Sequence, residues 1–341
     1  MSPIGTLTRR TVLCSSAHGA VGIGVGIGVG VGVGTAVPAV SASTPLPASF
    51  GACAGDVRLR TVAADGIEVF YREAGPAGAP VLLLLHGFPN SSHYFRRLMP
   101  LLADRFRLIA PDLPSFGFTT IPESRGYRYS FESFAKTLGA FIEALSLHRF
   151  AMYVFDYGAP IGLRYALTHP EQVTAYITQN GNAYEAGLGD KFWQPVRAYW
   201  QERKPEQREV LRSRHTFEGV RQAYLQGAPN PLAVAPEAYW LDATLMQRPG
   251  NIEIQLDLKL DYQTNIALYP EFQAYLRQRK PPVLAIWGKY DPAFIPPGAE
   301  AYRNDVPDTT VHLLEAGHFA LETATDEIAA AIRTFGARIP G

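Results

Sequence analysis

From Phe150 to Phe155 the chain is an unbroken apolar run; the run ends at Asp156-Tyr157-Gly158, and a helix-like segment continues to Thr168. Six consecutive apolar residues read as a strand buried on both faces. A strand that turns this sharply into a helix exposes the side chain at the turn above the sheet, which is the setting a catalytic nucleophile requires. Here that side chain is a carboxylate. A carboxylate attacking carbon forms an alkyl ester whose own carbonyl must then be hydrolysed, whereas a serine takes an acyl group from its substrate. Ordinary ester and amide hydrolysis is therefore the weaker expectation, and no G-x-S-x-G occurs in the chain. Taken alone, Asp156 could equally be a helix N-cap, so its partners decide.

Strand-like and helix-like segments alternate beyond residue 55, the pattern of a mostly parallel sheet covered on both faces. Eight strands are expected: 57–63, 67–73, 81–85, 107–110, 150–155, 175–178, 283–287 and 310–314. The first two flank Asp65-Gly66 and predict a hairpin. The interval from Thr178 to Val283 is too long for a loop and rich in Trp, Tyr, Arg and Pro, so an inserted helical cap is expected over 184–268. It would divide an α/β core into 56–183 and 269–341.

The first residues read as a sorting signal. Arg9-Arg10 stand as in a twin-arginine signal, a glycine-alternating apolar stretch follows from Ala17 to Val40, and Val40-Ser41-Ala42 offers small residues for cleavage. Residues 1–42 are expected to direct export to periplasm or medium, with 43–55 as a linker. A retained membrane anchor, an upstream start and chance arginines are the competing readings; glycine at alternate positions weakens a spanning helix. After removal of the signal no stable membrane association is expected. Without 1–42, which hold no acid, 29 basic residues face 31 acidic ones, and this near-neutrality gives no electrostatic case for nucleic acid. Only Cys53 would then remain, which excludes an intramolecular disulfide.

His86-Gly87-Phe88-Pro89, the Asp156 turn, the cap, Trp287-Gly288-Lys289-Tyr290-Asp291-Pro292 and Glu315-Ala316-Gly317-His318-Phe319 follow one another in an order that resembles the α/β-hydrolase superfamily across nearly all of 56–337. The aspartate at the elbow resembles the branch of soluble epoxide hydrolases and haloalkane dehalogenases. The resemblance implies an α/β-hydrolase fold with a mostly parallel eight-stranded sheet, helices on both faces and the cap. The order Asp156, Asp291, His318 fits nucleophile, acid and histidine. His318 would take a proton from water while Asp291 holds its tautomer. Backbone N–H groups of Phe88 and Tyr157 would form the oxyanion hole. His86 and Asp112 read as loop organisers, and Ser115, beside Pro114 and without a following helix pattern, is no nucleophile elbow. Metal-ligand clusters and phosphate-cradling glycine motifs are absent from the sequence, so no metal and no cofactor is expected.

Two substrates compete. Dehalogenases of this branch hold halide with a tryptophan beside the nucleophile and a second N–H; this chain has Tyr157 and Phe88 there, leaving Asn90 and cap residues Trp193, Trp200 and Trp240 to compensate. Val154, two residues before Asp156, resembles the dehalogenase pattern. Epoxide opening needs a proton donor, for which the resembled enzymes use cap tyrosines; Tyr199 and Tyr239, each in a Tyr-Trp pair, are the candidates. Epoxide hydrolysis is placed first and dehalogenation second, with a non-catalytic ligand receptor as the reading from another class. Aromatic and aliphatic cap residues imply a small uncharged apolar substrate, and the absence of an arginine just after Asp156 argues against halocarboxylates.

Overall fold

A computed structural model describes residues 55–339; the export signal expected at 1–42 and all but the last residue of the linker lie outside the described residues. The eight strands are β1 (Arg58–Ala64), β2 (Ile67–Ala74), β3 (Val81–Leu85), β4 (Arg107–Pro111), β5 (Phe150–Phe155), β6 (Val173–Gln179), β7 (Val283–Gly288) and β8 (Thr310–Leu314). Each lies within two residues of its expected bounds. They form one sheet in the order β1-β2-β4-β3-β5-β6-β7-β8. From β4 to β8 every neighbouring pair is parallel; β1 and β2 pair antiparallel with each other, and β2 with β4. Asp65 and Gly66, at φ 52° and 72°, form the hairpin turn between β1 and β2, where both central residues need positive φ.

Side chains along a strand point alternately to opposite faces, so an unbroken apolar strand feeds two cores. Leu83, Leu85, Met152 and Val154 pack on one face with α2 (Phe131–Ala144), α3 (Gly158–Thr168) and α10 (Tyr269–Arg279). Leu82, Leu84, Tyr153 and Phe155 pack on the other with α1 (Leu98–Leu102) and α13 (Thr325–Phe335). The segment expected as the cap carries α4 (Asp190–Glu202), α5 (Pro205–Arg212), α6 (Phe217–Leu225), α7 (Pro236–Met246), α8 (Asn251–Asp261) and α9 (Gln263–Ala267). Short helices α11 (Pro297–Ala301) and α12 (Ala320–Thr323) flank the last strand. No helix among the described residues is long and apolar enough to cross a membrane.

The order reverses at β3. The chain moves from β3 to β4 on one side and then to β5 on the other, so the loops leaving β3 and β5 diverge and open a crevice at the carboxyl ends of the strands. His86-Gly87-Phe88 leaves β3 and Asp156 leaves β5 at this crevice.

Candidate active site

Asp156 stands at φ 49°, in the left-handed region, with Gly158 beginning α3 two residues later. The turn is tight because β3 lies directly behind it: a Cβ on Gly158 would fall 2.4 Å from the Leu85 carbonyl oxygen. Gly87 brings the neighbouring loop equally close. A Cβ there would meet Asp156 Oδ1 at 2.3 Å and Tyr157 N at 2.5 Å, so both backbone groups converge on the carboxylate. The Phe88 N–H donates to Asp156 Oδ1 at 2.6 Å.

The other oxygen of Asp156 faces His318, with Nε2 3.6 Å from Oδ2, while His318 Nδ1 lies 2.6 Å from Asp291 Oδ2. Asp291 follows β7 and His318 follows β8, so three strand ends supply one constellation. Asp291 is fully engaged: Oδ1 accepts from Ala293 N and Phe294 N, and Oδ2 accepts from Asn180 Nδ2 at 2.7 Å. Burial alone would lower the His318 pKa, but the Asp291 charge and hydrogen bonds to Asp156 and Asp291 overcome it and raise the imidazole to about 9. At neutral pH it is therefore an imidazolium between two carboxylates.

Asn180 and Gln179 were not singled out by sequence. Asn180, at φ 47°, also accepts from Gly288 N and from Gln179 Nε2, and that amide nitrogen donates in turn to the His318 carbonyl. The pair ties the ends of β6, β7 and β8 together and orients the acid. The only sequence signal was position, since polar residues directly after a buried strand end in the crevice.

Residues 80–325 match the alpha/beta hydrolase fold family. The chain belongs to that family. An uncharacterised hydrolase of Saccharomyces cerevisiae is 50% identical over 268 residues, covering 78% of this chain and 92% of that protein. Haloalkane dehalogenase 2 of Mycobacterium tuberculosis is 31% identical across 74% of this chain and 86% of its own length. The solved structure of epoxide hydrolase CorEH shares the fold with a TM-score of 0.68 at 18% identity, covering 84% of this chain and 100% of that one.

In this hydrolase a cavity of about 390 Å³ opens over Asp156, Asp291 and His318, with Phe88, Tyr157, Trp193 and Phe319 among its walls. A larger groove of about 880 Å³ runs between α2 and α3 past Lys136 and His169 and includes none of the three. The expected cap tyrosines do not reach the cavity. The Tyr199 hydroxyl accepts from Arg208 Nη1 at 2.9 Å, and the Tyr239 ring packs on Phe217 and Tyr224. The expected halide donors are committed elsewhere as well. Indole N–H groups of Trp193 and Trp200 donate to the carbonyls of Ala293 and Lys259. Trp240 is 57% exposed, and Asn90 Nδ2 donates to Tyr224 and Asp242.

His86 organises its loop. Leu113 N donates to His86 Nε2 at 2.9 Å, so Nδ1 carries the proton that goes to Gly87 O, and burial lowers the ring to about 4, keeping it neutral. Asp112 accepts from Ser92 N and Phe118 N. Ser115 sits at φ 73° and accepts from Gln255, away from His318. The lining departs from the apolar cavity that cap composition predicts in one respect: Lys191, Arg214 and Lys259 belong to it.

Proposed function

We propose that this hydrolase opens small epoxides through an ester on Asp156. The carboxylate attacks a ring carbon, the carbon–oxygen bond breaks, and the ring oxygen takes the His318 Nε2 proton, which leaves the imidazole neutral. Ester formation removes the Asp156 charge that helps hold the His318 proton, so the imidazole becomes a base at the step that needs one. His318 Nε2 then takes a proton from water, and the hydroxide adds to the ester carbonyl. The Phe88 and Tyr157 N–H groups receive the resulting oxyanion, and collapse releases a diol with Asp156 restored. Asp291, oriented by Asn180, holds Nδ1 throughout. The observation that carries this reading is the Asp156 carboxylate itself, held at a positive-φ turn with one oxygen on the Phe88 N–H and the other facing His318.

Epoxide precedes halide because the Trp193 and Trp200 indole N–H groups and the Asn90 amide are engaged by the protein, leaving none of these donors for a halide. Haloalkane dehalogenation is the second reading, supported by the similarity to the mycobacterial dehalogenase. Intact mass of His318→Gln after exposure to styrene oxide and, separately, 1-bromobutane tests both. An adduct of the whole epoxide mass, abolished by Asp156→Asn, is expected. An alkyl adduct without bromine reverses the order, and no adduct from either substrate refutes the aspartyl ester.

A further inference from the structure

The reaction at Asp156 uses one cation, His318, yet two more stand in the cavity wall, Lys259 buried and Arg214 half-buried. Lys259, from α8, is only 5% exposed, and among the described residues its ammonium has no hydrogen bond or ion pair. Its Nζ stands 4.5 Å from the Phe88 ring centroid and 5.0 Å from that of Tyr157. These are the two residues whose backbones flank the Asp156 carboxylate, so Lys259 overlooks the reacting centre. Arg214 stacks 4.2 Å over Phe192 and donates from Nη2 to the Phe192 carbonyl at 3.0 Å. Its buried Nη1 has no partner, and no carboxylate pairs with it among the described residues.

Burying a cation without a counter-ion is strongly unfavourable, and ring faces recover only part of the lost hydration. Burial brings Lys259 down to about 8, with Arg214 lowering it further against the pull of Asp156, and burial lowers Arg214 as well. Apart from Lys191, which is exposed to solvent, three cations, His318, Lys259 and Arg214, face two carboxylates, Asp156 and Asp291. The occupied cavity therefore balances with one added negative charge.

We propose that the cavity takes a small substrate bearing a single carboxylate, which Lys259 Nζ and the Arg214 guanidinium bind while its reactive carbon faces Asp156. A monoanion matches the surplus, and the walls formed by Phe88, Tyr157 and Trp193 suit an apolar or aromatic remainder. The substrate class is thus an epoxy-carboxylate. The catalytic half of this inference rests on the ester reading above; the binding half does not. The proposal departs from the uncharged substrate expected from composition, because the cations come from the cap and not from positions beside Asp156.

Calorimetric titration of the full chain with phenylacetate and with phenylacetamide tests the binding half without turnover. The carboxylate is expected to bind about 10–100-fold more tightly, the range of hydrogen bonds to charged groups. That ratio should collapse toward one in Lys259→Met and in Arg214→Gln and persist in Lys259→Arg. Equal affinities in the wild-type protein overturn the proposal, as does a ratio that survives both neutral substitutions. A Lys259→Met loss that is the same for both probes overturns it too, since it marks a packing role. A preserved ratio with no adduct in His318→Gln from 3-phenylglycidate, an epoxide that carries the carboxylate, leaves the anion site standing and sinks the ester reading alone.

Discussion

Adding one methyl group at Gly87 should disable the site while leaving the fold in place. A Cβ there falls 2.3 Å from Asp156 Oδ1, 2.4 Å from Asp156 Cβ and 2.5 Å from Tyr157 N, where ordinary contact begins at 3.4 Å. Asp156 Cβ and Tyr157 N are fixed by the backbone, and Oδ1, though a side-chain end, is held by the Phe88 N–H. Asp156 is already held at φ 49°, and behind it Gly158 has no room against Leu85. The strand-to-loop segment carrying Phe88 must therefore retreat, which breaks the 2.6 Å hydrogen bond from its N–H to Asp156. Loss of one such donor costs about 10²–10³ in rate, and the overpacking costs about 1–3 kcal/mol of stability. At roughly 2–4 °C per kcal/mol, Tm should fall by no more than about 12 °C. Steady-state kcat/KM with styrene oxide, alongside thermal unfolding of Gly87→Ala, reads both quantities. A folded variant within about threefold of wild-type kcat/KM would refute the argument, because it would separate the Phe88 N–H from the working carboxylate.

Gly139 provides a contrast. It lies inside α2, where a methyl would touch the Tyr165 ring at 3.6 Å, so Gly139→Ala should add about 0.5–1 kcal/mol in urea unfolding without changing kcat. Asn180→Leu removes the 2.7 Å donor to Asp291 and should slow ester hydrolysis at least about tenfold, one charged hydrogen bond's worth; rapid-quench mass spectrometry should then show ester accumulating. His318 is raised from 6.5 to about 9, so its contribution to stability is fully present below the unfolded value and is lost as pH rises through about 9. The wild-type stability relative to His318→Gln should accordingly decline between about pH 6 and pH 10, and a difference that grows would contradict the imidazolium. For localisation we propose twin-arginine export; Arg9→Lys with Arg10→Lys should retain the protein in the cytoplasm on cell fractionation.

Much of this fold was open to reading because it is written locally. Buried strands such as Phe150–Phe155 need unbroken apolar runs, and the turns between them need particular residues, so the eight strands and the Asp65-Gly66 hairpin follow from neighbours in the chain. The approach of Asp156, Asp291 and His318 was legible for a related reason. Each lies within four residues of the end of a parallel strand, and parallel strands deliver their carboxyl ends to one edge. His86 could be set aside as a loop group on the same local grounds.

The cap offered no such rule. Its helices are short, and which face of each turns inward is set by packing against the sheet. Tyr199 and Tyr239 looked like pocket residues because they sit beside tryptophans, yet Tyr199 bonds Arg208 and Tyr239 packs on Phe217. Nothing in the sequence singled out Lys259, between Leu258 and Leu260; α8 packs so that its ammonium faces the rings beside Asp156. Arg214 joins it from the turn after α5. The chain by itself determined the sheet, the elbow and the order of the catalytic candidates, because those depend on residues adjacent in sequence or on strand ends. Only the tertiary structure decided the electrostatics of the cavity, because the side chains that set it come from remote segments whose orientation is chosen by burial.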